Sequence, residues 1–308
     1  MTRQPYRIAL AGVGKIARDQ HLPAIARDPR FHLVAVADPA GGITETPSYP
    51  SLDALLAEGP ALDAVSICTP PSGRAGLAAA AIDAGLHVML EKPPAATLSE
   101  IEALRARAAA RGVTLFASWH SREAGAVTPA RAWLKDKRVE RVSIDWKEDI
   151  RHWHPGQDWI LGLGGYGVFD PGINALSIAT AILPEPLTIT GATMVVPAGR
   201  QAPIAATLEL SCGAGSGVAT FDFLEEGPQQ WDIEVVTEVG QLTLLQGGRM
   251  LVRDGATEAF NDEEYPRLYC RFAELIAAGA SDVDAAPCNL VADAFLLADR
   301  CEGPPFHW

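Results

Sequence analysis

The chain has 308 residues, of which 48% are hydrophobic, and a formal net charge of −13 without any cluster of lysine and arginine. This length suits two domains of ordinary size, and the acidic charge argues against nucleic acid and anionic membranes as partners. No stretch approaches the ~20 consecutive apolar residues of a membrane span, and the first residues lack a signal-peptide pattern, so we expect a cytoplasmic protein.

The first ~120 residues alternate between apolar runs and helical stretches, as in a doubly wound parallel sheet. The predicted strands are Tyr6–Val13, His32–Asp38, Asp63–Thr69, His87–Glu91 and Thr114–Trp119. Helices are expected to start near Lys15, Ser51, Gly73 and Thr97, the last with a capping box and an end at Gly112. This pattern predicts a Rossmann-type α/β domain over residues 1–122.

From residue 123 onwards the pattern favours an α+β domain with a mostly antiparallel open sheet. A helix is predicted over Val168–Leu183 and two more over Tyr265–Ala278 and Leu290–Arg300, with the option that a C-terminal helix packs back on the first domain. The predicted strands are Arg141–Asp149, Leu187–Val196, Ile204–Ser211, Val218–Leu224, Ile233–Val239 and Gln241–Leu245. An open sheet face allows either a monomer or a homodimer.

A glycine-rich turn follows the first predicted strand. Gly12-Val13-Gly14-Lys15-Ile16-Ala17 is a G-x-G-x-x-A fingerprint in which the glycines permit a tight turn and the approach of a pyrophosphate. Asp38 ends the second strand, where a carboxylate binds the ribose hydroxyls of NAD and repels the 2′-phosphate of NADP. We therefore expect NAD as the preferred cofactor, with NADP possible, and Gly12, Gly14, Lys15, Ile16 and Asp38 as contacts.

The carboxyl ends of the third and fourth strands supply further candidates. Thr69-Pro70-Pro71 and Glu91-Lys92 lie on the edge where cofactors bind in such sheets. The proline after Lys92 favours an extended backbone and is the one context in which a cis peptide bond costs little. A lysine beside an oxidised nicotinamide could polarise, or take a proton from, a substrate hydroxyl. We expect Lys92 to be catalytic, although many strand-end lysines simply extend into solvent.

The helix that begins near Val168 carries a second group of polar residues. Asp170 followed by Pro171 is typical of an N-cap with proline at the first helical position. Helical spacing places Asp170, Asn174 and Ser177 on one stripe. This pattern predicts catalytic or substrate-binding roles for Asp170 and Asn174, or alternatively a simple cap at Asp170.

The G-x-G-x-x-A start, the Glu91-Lys92-Pro93 element and the Gly-Gly-x-x-x-Asp-x-Gly-x-Asn helix together resemble the glucose–fructose oxidoreductase/inositol dehydrogenase (Gfo/Idh/MocA) family over essentially the whole chain. The resemblance implies that Lys92 and Asp170 are catalytic. The family usually has a histidine, commonly the acid/base, where this chain has Asn174. Because asparagine cannot take a proton, Asp170 or Lys92 would have to do so.

Several segments narrow the resemblance to the bacterial L-arabinose/D-galactose 1-dehydrogenases of this family. They are Asn174 and the stretches GKIARDQHLPAI, ASWHSR, WKEDIRHWHPGQDWI and SDVD…LVADAFL. The resemblance implies NAD(P)-dependent oxidation of an aldose at C1 to the lactone, with D-galactose and L-arabinose as candidate substrates and D-fucose as a third. The alternatives are a polyol or inositol dehydrogenase and a sugar-sensing regulator that binds a cofactor without catalysis.

Aromatic and polar residues around 146–159 suit a sugar. Alternation places Glu148 at the end of an apolar strand face, where its buried carboxylate would need a partner such as sugar hydroxyls. Aromatic rings suit the C–H face of a pyranose. The expected substrate contacts are His120, Glu148, Trp153, His154, Asp170, Asn174 and Trp231, with His152 and Trp159 nearby. Metal binding by the H-x-H pair is the less favoured alternative, and the scattered cysteines suggest no metal site.

Overall fold

The structure is a computed structural model that describes residues 4–308. Its strands follow the predicted runs closely, with short edge strands added. They are β1 (Tyr6–Ala11), β2 (Phe31–Ala37), β3 (Ser48–Tyr49), β4 (Ala64–Ile67), β5 (His87–Glu91), β6 (Leu115–Ser118), β7 (Val139–Lys147), β8 (Leu187–Pro197), β9 (Ala205–Cys212), β10 (Gly215–Asp222), β11 (Gln230–Thr237), β12 (Gly240–Leu245), β13 (Met250–Arg253), β14 (Ala256–Ala259) and β15 (Ala298–Gly303).

The helices are α1 (Leu22–Arg27), α2 (Leu52–Glu58), α3 (Arg74–Asp83), α4 (Leu98–Arg111), α5 (Val127–Leu134), α6 (Ile150–Trp153), α7 (Phe169–Ile182), α8 (Glu264–Ala278) and α9 (Ala286–Leu297). A π-helical segment, Ala17–His21, leads directly into α1. The capping box at Thr97 and the left-handed Gly112 bound α4 as predicted. None of the helices within residues 4–308 is both long and apolar enough to cross a membrane.

The chain divides into two units. Unit 1 comprises residues up to His120 together with Tyr265–Ala285, and unit 2 comprises Ser121–Glu264 and Ala286–Trp308. Unit 1 contains a six-stranded parallel sheet in the order β3-β2-β1-β4-β5-β6. Its central strands are buried over most of their length, as the near-continuous apolar runs predicted. The α/β Rossmann prediction is confirmed.

Helix α8 completes the core of unit 1. Its buried Tyr269 and Phe272 pack with Ile8, Leu10 and Phe31 of the first strands. The sequence prediction assigned residues 123–308 to one domain and allowed a C-terminal helix to pack back on the first. In the structure α8 belongs to unit 1, whereas the last helix, α9, and β15 belong to unit 2. The boundary therefore falls at His120, and the segment Tyr265–Ala285 returns to unit 1.

Unit 2 is built on a nine-stranded sheet in the order β14-β13-β12-β11-β7-β10-β9-β8-β15. Its pairs are antiparallel except for β7 with β10 and β8 with β15. The prediction of a mostly antiparallel sheet is confirmed. The predicted helix Leu290–Arg300 is wrong at its end, because Ala298–Gly303 forms the edge strand β15 beside β8. Pairing with an available sheet edge overrides the local helical pattern there.

Helix α7 packs on one face of this sheet. A Cβ at Gly172 would collide with the Phe221 ring of β10, with 2.6 Å to the nearest ring atom, so glycine allows helix and strand to approach. Phe169 of α7 lies edge-on against the same ring. Phe221 is in register with Trp146 of β7, which is in register with Trp231 of β11. Helix α7 and these two indoles therefore share one face of the sheet.

Candidate active site

The glycine loop at the end of β1 has the geometry of a dinucleotide-binding turn. Gly12 has a φ of +89°, and a Cβ there would lie 2.9 Å from the backbone nitrogen of Thr69, so the turn itself requires glycine. A Cβ at Gly14, in contrast, would meet only open space. Packing within the protein does not require glycine at position 14, which agrees with the close approach of a ligand there.

Asp38 is held beside this loop by two backbone donors. The N–H of Val13 donates to Asp38 Oδ2 (2.6 Å) and the N–H of Ala40 donates to Oδ1 (2.7 Å). The carboxylate thus has a fixed position at the carboxyl end of β2 and retains lone pairs for further donors. A ribose diol at this edge would supply such donors.

Of three side chains at the start of the following helical segment, the sequence prediction named Lys15 and Ile16 as cofactor contacts and missed Arg18. Lys15 is exposed and forms an ion pair with Asp19, and Ile16 is also exposed. Arg18, which was not predicted, donates from Nε to the carbonyl of Val13 (3.0 Å) and from Nη2 to that of Gly42 (3.2 Å). It places a positive charge on the same loop system as Asp38, and no sequence motif marked it.

The loop after β4 offers a polar atom that fits a ligand. The Thr69 hydroxyl is buried and has no hydrogen-bond partner among residues 4–308. A buried hydroxyl without a partner is costly. Pro70 is exposed and Pro71 buried. With the space at Gly14, this hydroxyl indicates that unit 1 fits a nicotinamide dinucleotide at the carboxyl edge of its sheet.

Lys92 follows β5 directly, and its backbone is held on both sides. The Lys92–Pro93 peptide bond is cis. The Lys92 N–H donates to Glu91 Oε2 (2.9 Å), and the guanidinium of Arg74 donates to the carbonyls of Glu91 and Pro93. The Lys92 side chain itself is half-buried. The prediction of a constrained lysine agrees with this arrangement.

The Glu91 side chain belongs to a buried network and not to the cofactor edge. Its Oε1 accepts from Tyr265 (2.7 Å) and pairs with His21 Nε2 (3.0 Å), while His21 Nδ1 contacts the Tyr269 hydroxyl (2.8 Å), which contacts Ser66 (3.0 Å). All five side chains are buried. Glu91 was predicted as a cofactor contact, and its side chain is engaged within this network.

Two side chains of this network, Glu91 and His21, have shifted pKa values that favour their charged forms. Burial opposes ionisation of Glu91, but the hydrogen bond and charge of His21 outweigh it and lower the pKa of Glu91 to about 2. Burial also opposes protonation of His21, yet neighbouring acidic groups, namely Cys68, Tyr269 and Glu91, raise the pKa of His21 well above its ordinary value. The pair is therefore ionic at neutral pH.

His120, the predicted sugar contact of unit 1, stacks on a member of this network. Its ring lies 5.4 Å from that of Tyr265 with 21° between the planes. Tyr265 in turn donates to Glu91, whose carboxylate holds the Lys92 N–H. A candidate substrate residue and the candidate catalytic lysine are thus joined by one chain of contacts.

In unit 2, Asp170 occupies the first turn of α7. The prediction that Asp170 is the N-cap is wrong, because the preceding Val168 already has helical torsions and caps the helix. A Cβ at Gly167 would strike the backbone of Pro203, so this glycine lets the chain turn sharply into α7. The Asp170 carboxyl group is buried near the positive end of the helix dipole.

The polar stripe of α7 is shorter than predicted. Asn174 is half-buried one turn after Asp170, but Ser177 is fully buried and its hydroxyl donates to the Asn174 carbonyl (2.7 Å). Such bonding within a helix satisfies the hydroxyl locally. Asp170 and Asn174 remain the functional candidates of this helix.

Four predicted sugar contacts come together on unit 2. Glu148 Oε2 accepts from the indole of Trp231 (2.8 Å), its Oε1 pairs with His154 Nε2 (3.0 Å), and Trp153 lies 4.9 Å from Trp231 between ring centroids. The buried carboxylate was predicted to need a partner such as sugar hydroxyls, and protein donors already supply two such partners. Through these hydrogen bonds Glu148 also orients the Trp231 indole and the His154 imidazole.

Trp146 joins this group from the centre of the sheet. It stacks on Trp231 at 5.9 Å, and its buried indole N–H has no hydrogen-bond partner among residues 4–308. In the sequence Trp146 is simply one residue of the apolar strand face that ends at Glu148. Its register opposite Trp231 depends on the pairing of β7 with β11 and could not be read from the sequence.

The segment that carries Trp153 and His154 is braced by residues 303–308. The Arg151 guanidinium lies 4.8 Å from the centre of the buried Phe306 ring, and Trp308 Nε1 donates to Asp158 Oδ1 (3.0 Å). Trp159 is half-buried and His152 is exposed, edge-on to Trp153. Within residues 4–308 no three histidine, cysteine or acidic side chains are arranged to hold a metal ion.

Comparisons with known proteins agree with this geometry. Residues 6–118 match the model of the Gfo/Idh/MocA oxidoreductase family, NAD-binding Rossmann fold. The chain is 44% identical to galactose 1-dehydrogenase of Pseudomonas fluorescens, over 99% of each protein. This chain belongs to the Gfo/Idh/MocA family of oxidoreductases. Its unit 1 is the NAD(P)-binding domain of that family.

Two solved structures extend the comparison. The crystal structure of D-galactose-1-dehydrogenase from Rhizobium etli matches with a TM-score of 0.95 and 51% identity, covering 100% of this chain and 99% of that one. A 3-ketoreductase from Actinomadura kijaniata, solved with NADP, matches with a TM-score of 0.81 at 19% identity, covering 97% of this chain and all of the other. The second match concerns the fold alone.

Proposed function

We propose that this oxidoreductase oxidises the anomeric C1 of an aldose to the aldonolactone, with D-galactose as the first substrate to test. The observation that carries this proposal is the whole-chain identity with two galactose 1-dehydrogenases, 44% and 51%. L-Arabinose is the second candidate, because the two sugars share their configuration from C1 to C4 of the pyranose ring. D-Fucose differs from D-galactose only at C6 and is a third.

The aromatic group of unit 2 supports a pyranose as substrate. The rings of Trp153 and Trp231 offer faces for C–H groups, while Glu148 and His154 offer polar atoms for hydroxyls. A carboxylate held by two protein donors keeps lone pairs for a sugar hydroxyl. We infer that this group, with His120, Asp170 and Asn174, contacts the sugar.

A bound NAD(P)⁺ supplies the hydride acceptor for this reaction. Asp170 accepts the proton of the C1 hydroxyl as C1 loses its hydride, so that the C1–O single bond becomes the carbonyl of the lactone. Lys92 donates a hydrogen bond to that oxygen and shares in moving the proton. Asn174, whose amide does not take up a proton in this way, binds a sugar hydroxyl and fixes the ring.

We propose NAD as the preferred cofactor because Asp38 would repel a 2′-phosphate. Gly12, Gly14 and Thr69 bind its phosphates and adjacent groups, and Lys15, Ile16, Pro70 and Pro71 border it. Arg18 offers a nearby positive charge, so we expect weaker use of NADP and not its exclusion. Comparing kcat/KM for the two cofactors with one sugar tests this preference.

The proposed reaction is tested by following the reduced nicotinamide with D-galactose, L-arabinose, D-glucose and myo-inositol. Turnover of D-galactose or L-arabinose, with a lactone as product, supports the proposal. Failure of both sugars together with turnover of myo-inositol would instead identify a polyol dehydrogenase. Cofactor binding without turnover of any substrate would favour a sugar-sensing regulator.

The proposed roles are tested separately. Lys92→Met and Asp170→Asn should each lower kcat by several orders of magnitude while cofactor binding persists, because each removes a group that acts on the reacting oxygen. A Lys92→Met variant with full turnover would refute the role of this lysine without affecting the substrate assignment.

A further inference from the structure

Arg74, at the start of α3, is an arginine buried inside unit 1. Only 2% of its surface is exposed. Its Nε donates to the carbonyl of Thr69 (3.0 Å), and its Nη2 donates to the same oxygen. Its Nη1 donates to the carbonyls of Glu91 and Pro93. Burying a guanidinium is costly, so its retention here needs a reason.

The carbonyls that Arg74 binds stand on both sides of Lys92. Residue 91 precedes the lysine and residue 93 follows it, and the N–H of Lys92 is bound by the Glu91 carboxylate (2.9 Å). The peptide groups around Lys92 are therefore fixed. The planar guanidinium suits this task because its donors point in fixed directions, whereas the ammonium of lysine is a compact charge.

The carbonyl of Thr69, which Arg74 also binds, connects Lys92 to the cofactor edge of the sheet. Thr69 lies in the loop that follows β4, and its buried hydroxyl is the polar atom that fits the cofactor. One guanidinium thus joins the backbone at Thr69 to the backbone on each side of Lys92. A phosphate-binding role for Arg74 is disfavoured, because the guanidinium is buried and already donates to these carbonyls.

We propose that Arg74 is a positioning residue that sets the place of the Lys92 ammonium relative to the cofactor edge. The inference rests on the proposed function, in which Lys92 acts on the C1 oxygen. Displacing a reacting group by about 1 Å can cost roughly 100-fold in rate. Arg74 touches neither substrate nor reacting atoms in this proposal and acts only through the backbone of Lys92.

The test compares Arg74→Ala and Arg74→Lys with the wild-type enzyme, using D-galactose and NAD. We expect kcat to fall roughly 100-fold in Arg74→Ala and by about tenfold in Arg74→Lys, with KM for the sugar within about threefold of wild type. Added methylguanidinium should restore kcat of Arg74→Ala by at least about tenfold, since it can occupy the vacated place. Arg107→Ala, which removes an exposed arginine paired with Asp83 on the surface of the same unit, is the control.

Loss of kcat in Arg74→Ala without rescue, or wild-type kcat in either variant, would overturn the proposal. If Arg74→Ala does not fold, Arg74→Lys decides: a reduced kcat at unchanged KM supports positioning, and an unchanged kcat rejects it. Lys92→Met separates the two hypotheses. Full activity in Lys92→Met refutes the proposed role of the lysine, whereas an inactive Lys92→Met beside fully active Arg74 variants refutes only the inference about Arg74.

Discussion

Replacing His21 and Glu91 together by glutamine should remove one component of the pH dependence of stability. In the folded protein the pKa of His21 lies well above the unfolded value of 6.5, so the folded state holds one proton more than the unfolded state at neutral pH. The stabilisation is complete below pH 6.5 and is lost as pH rises through the folded pKa. The double substitution removes both charges. Glutamine keeps the shape of the Glu91 side chain and offers a hydrogen-bonding amide at position 21.

The magnitude follows from proton linkage. One extra proton in the folded state lowers the free energy of unfolding by about 1.4 kcal/mol for each pH unit above 6.5. On the acid side the pKa of Glu91 falls from 4.5 to about 2 on folding, which is worth about 3 kcal/mol. That stabilisation is present above pH 4.5 and is lost as pH falls towards 2. The pair therefore contributes most between these limits.

Urea unfolding followed by circular dichroism at about pH 6, 7 and 8 measures this component. The wild-type free energy of unfolding should fall with pH more steeply than that of the double variant, and hydrogen exchange in the peptide that contains Glu91 should assign the difference to unit 1. His32→Gln, which removes an exposed imidazole from β2, is the control and should follow the wild type. Parallel curves for wild type and double variant would show that the buried pair is not ionic.

Four further substitutions test other parts of the structure. Gly12→Ala should destabilise the cofactor-free protein by about 1–3 kcal/mol, because φ is positive at Gly12 and the backbone of Thr69 leaves no room for a Cβ. Gly14→Ala should leave the melting temperature unchanged and weaken NAD binding, as measured by calorimetry. Gly172→Ala should cost about 1–3 kcal/mol in urea unfolding, because the new methyl group meets the Phe221 ring. Glu148→Gln should raise KM for the sugar by about 10- to 100-fold with little change in kcat, because it weakens charge-assisted hydrogen bonds.

The following results would contradict the predictions for Gly12→Ala and Glu148→Gln, and Gly172→Ala has a matched control. Equal melting temperatures of Gly12→Ala and wild type would mean that the turn tolerates a Cβ. Gly76→Ala, at a helical glycine of α3 whose Cβ would meet nothing within 4 Å, is the control for Gly172 and should be neutral or stabilising. A fall in kcat with unchanged KM in Glu148→Gln would place Glu148 in the chemical step and not in sugar binding.

Local patterns predicted most of the fold. The strands of unit 1 are apolar runs bounded by turn residues, and the ends of α4 were readable from Thr97 and Gly112, because capping depends on neighbours in the chain. The edge strand β15 was not readable, because Ala298–Gly303 becomes a strand only by pairing with β8. The return of α8 to unit 1 was likewise a property of tertiary packing, which the helical pattern left open.

The candidate site was predictable where a motif carries a mechanism. The glycine loop and Lys92 were found because their chemistry depends on residues next to one another in the chain. Arg74 and His21 were missed as partners of Glu91, because they are distant in sequence and meet it only in the folded sheet. The role of Glu148 was predicted only in part. Alternation identified a buried carboxylate and the nearby His154 was a candidate, but the donor Trp231 comes from β11, 83 residues away in the chain.

The division of the chain has a consequence for biosynthesis. The core of unit 1 needs Tyr269 and Phe272, and unit 2 needs α9 and β15, so segments that follow residue 264 finish both units. At about 5–20 residues per second, the ribosome makes residues 121–264 in on the order of ten seconds, during which the first sheet lacks its covering helix. Neither unit can close until residues beyond 264 have been made. The nascent first sheet therefore exposes apolar strand surface until α8 emerges to cover it.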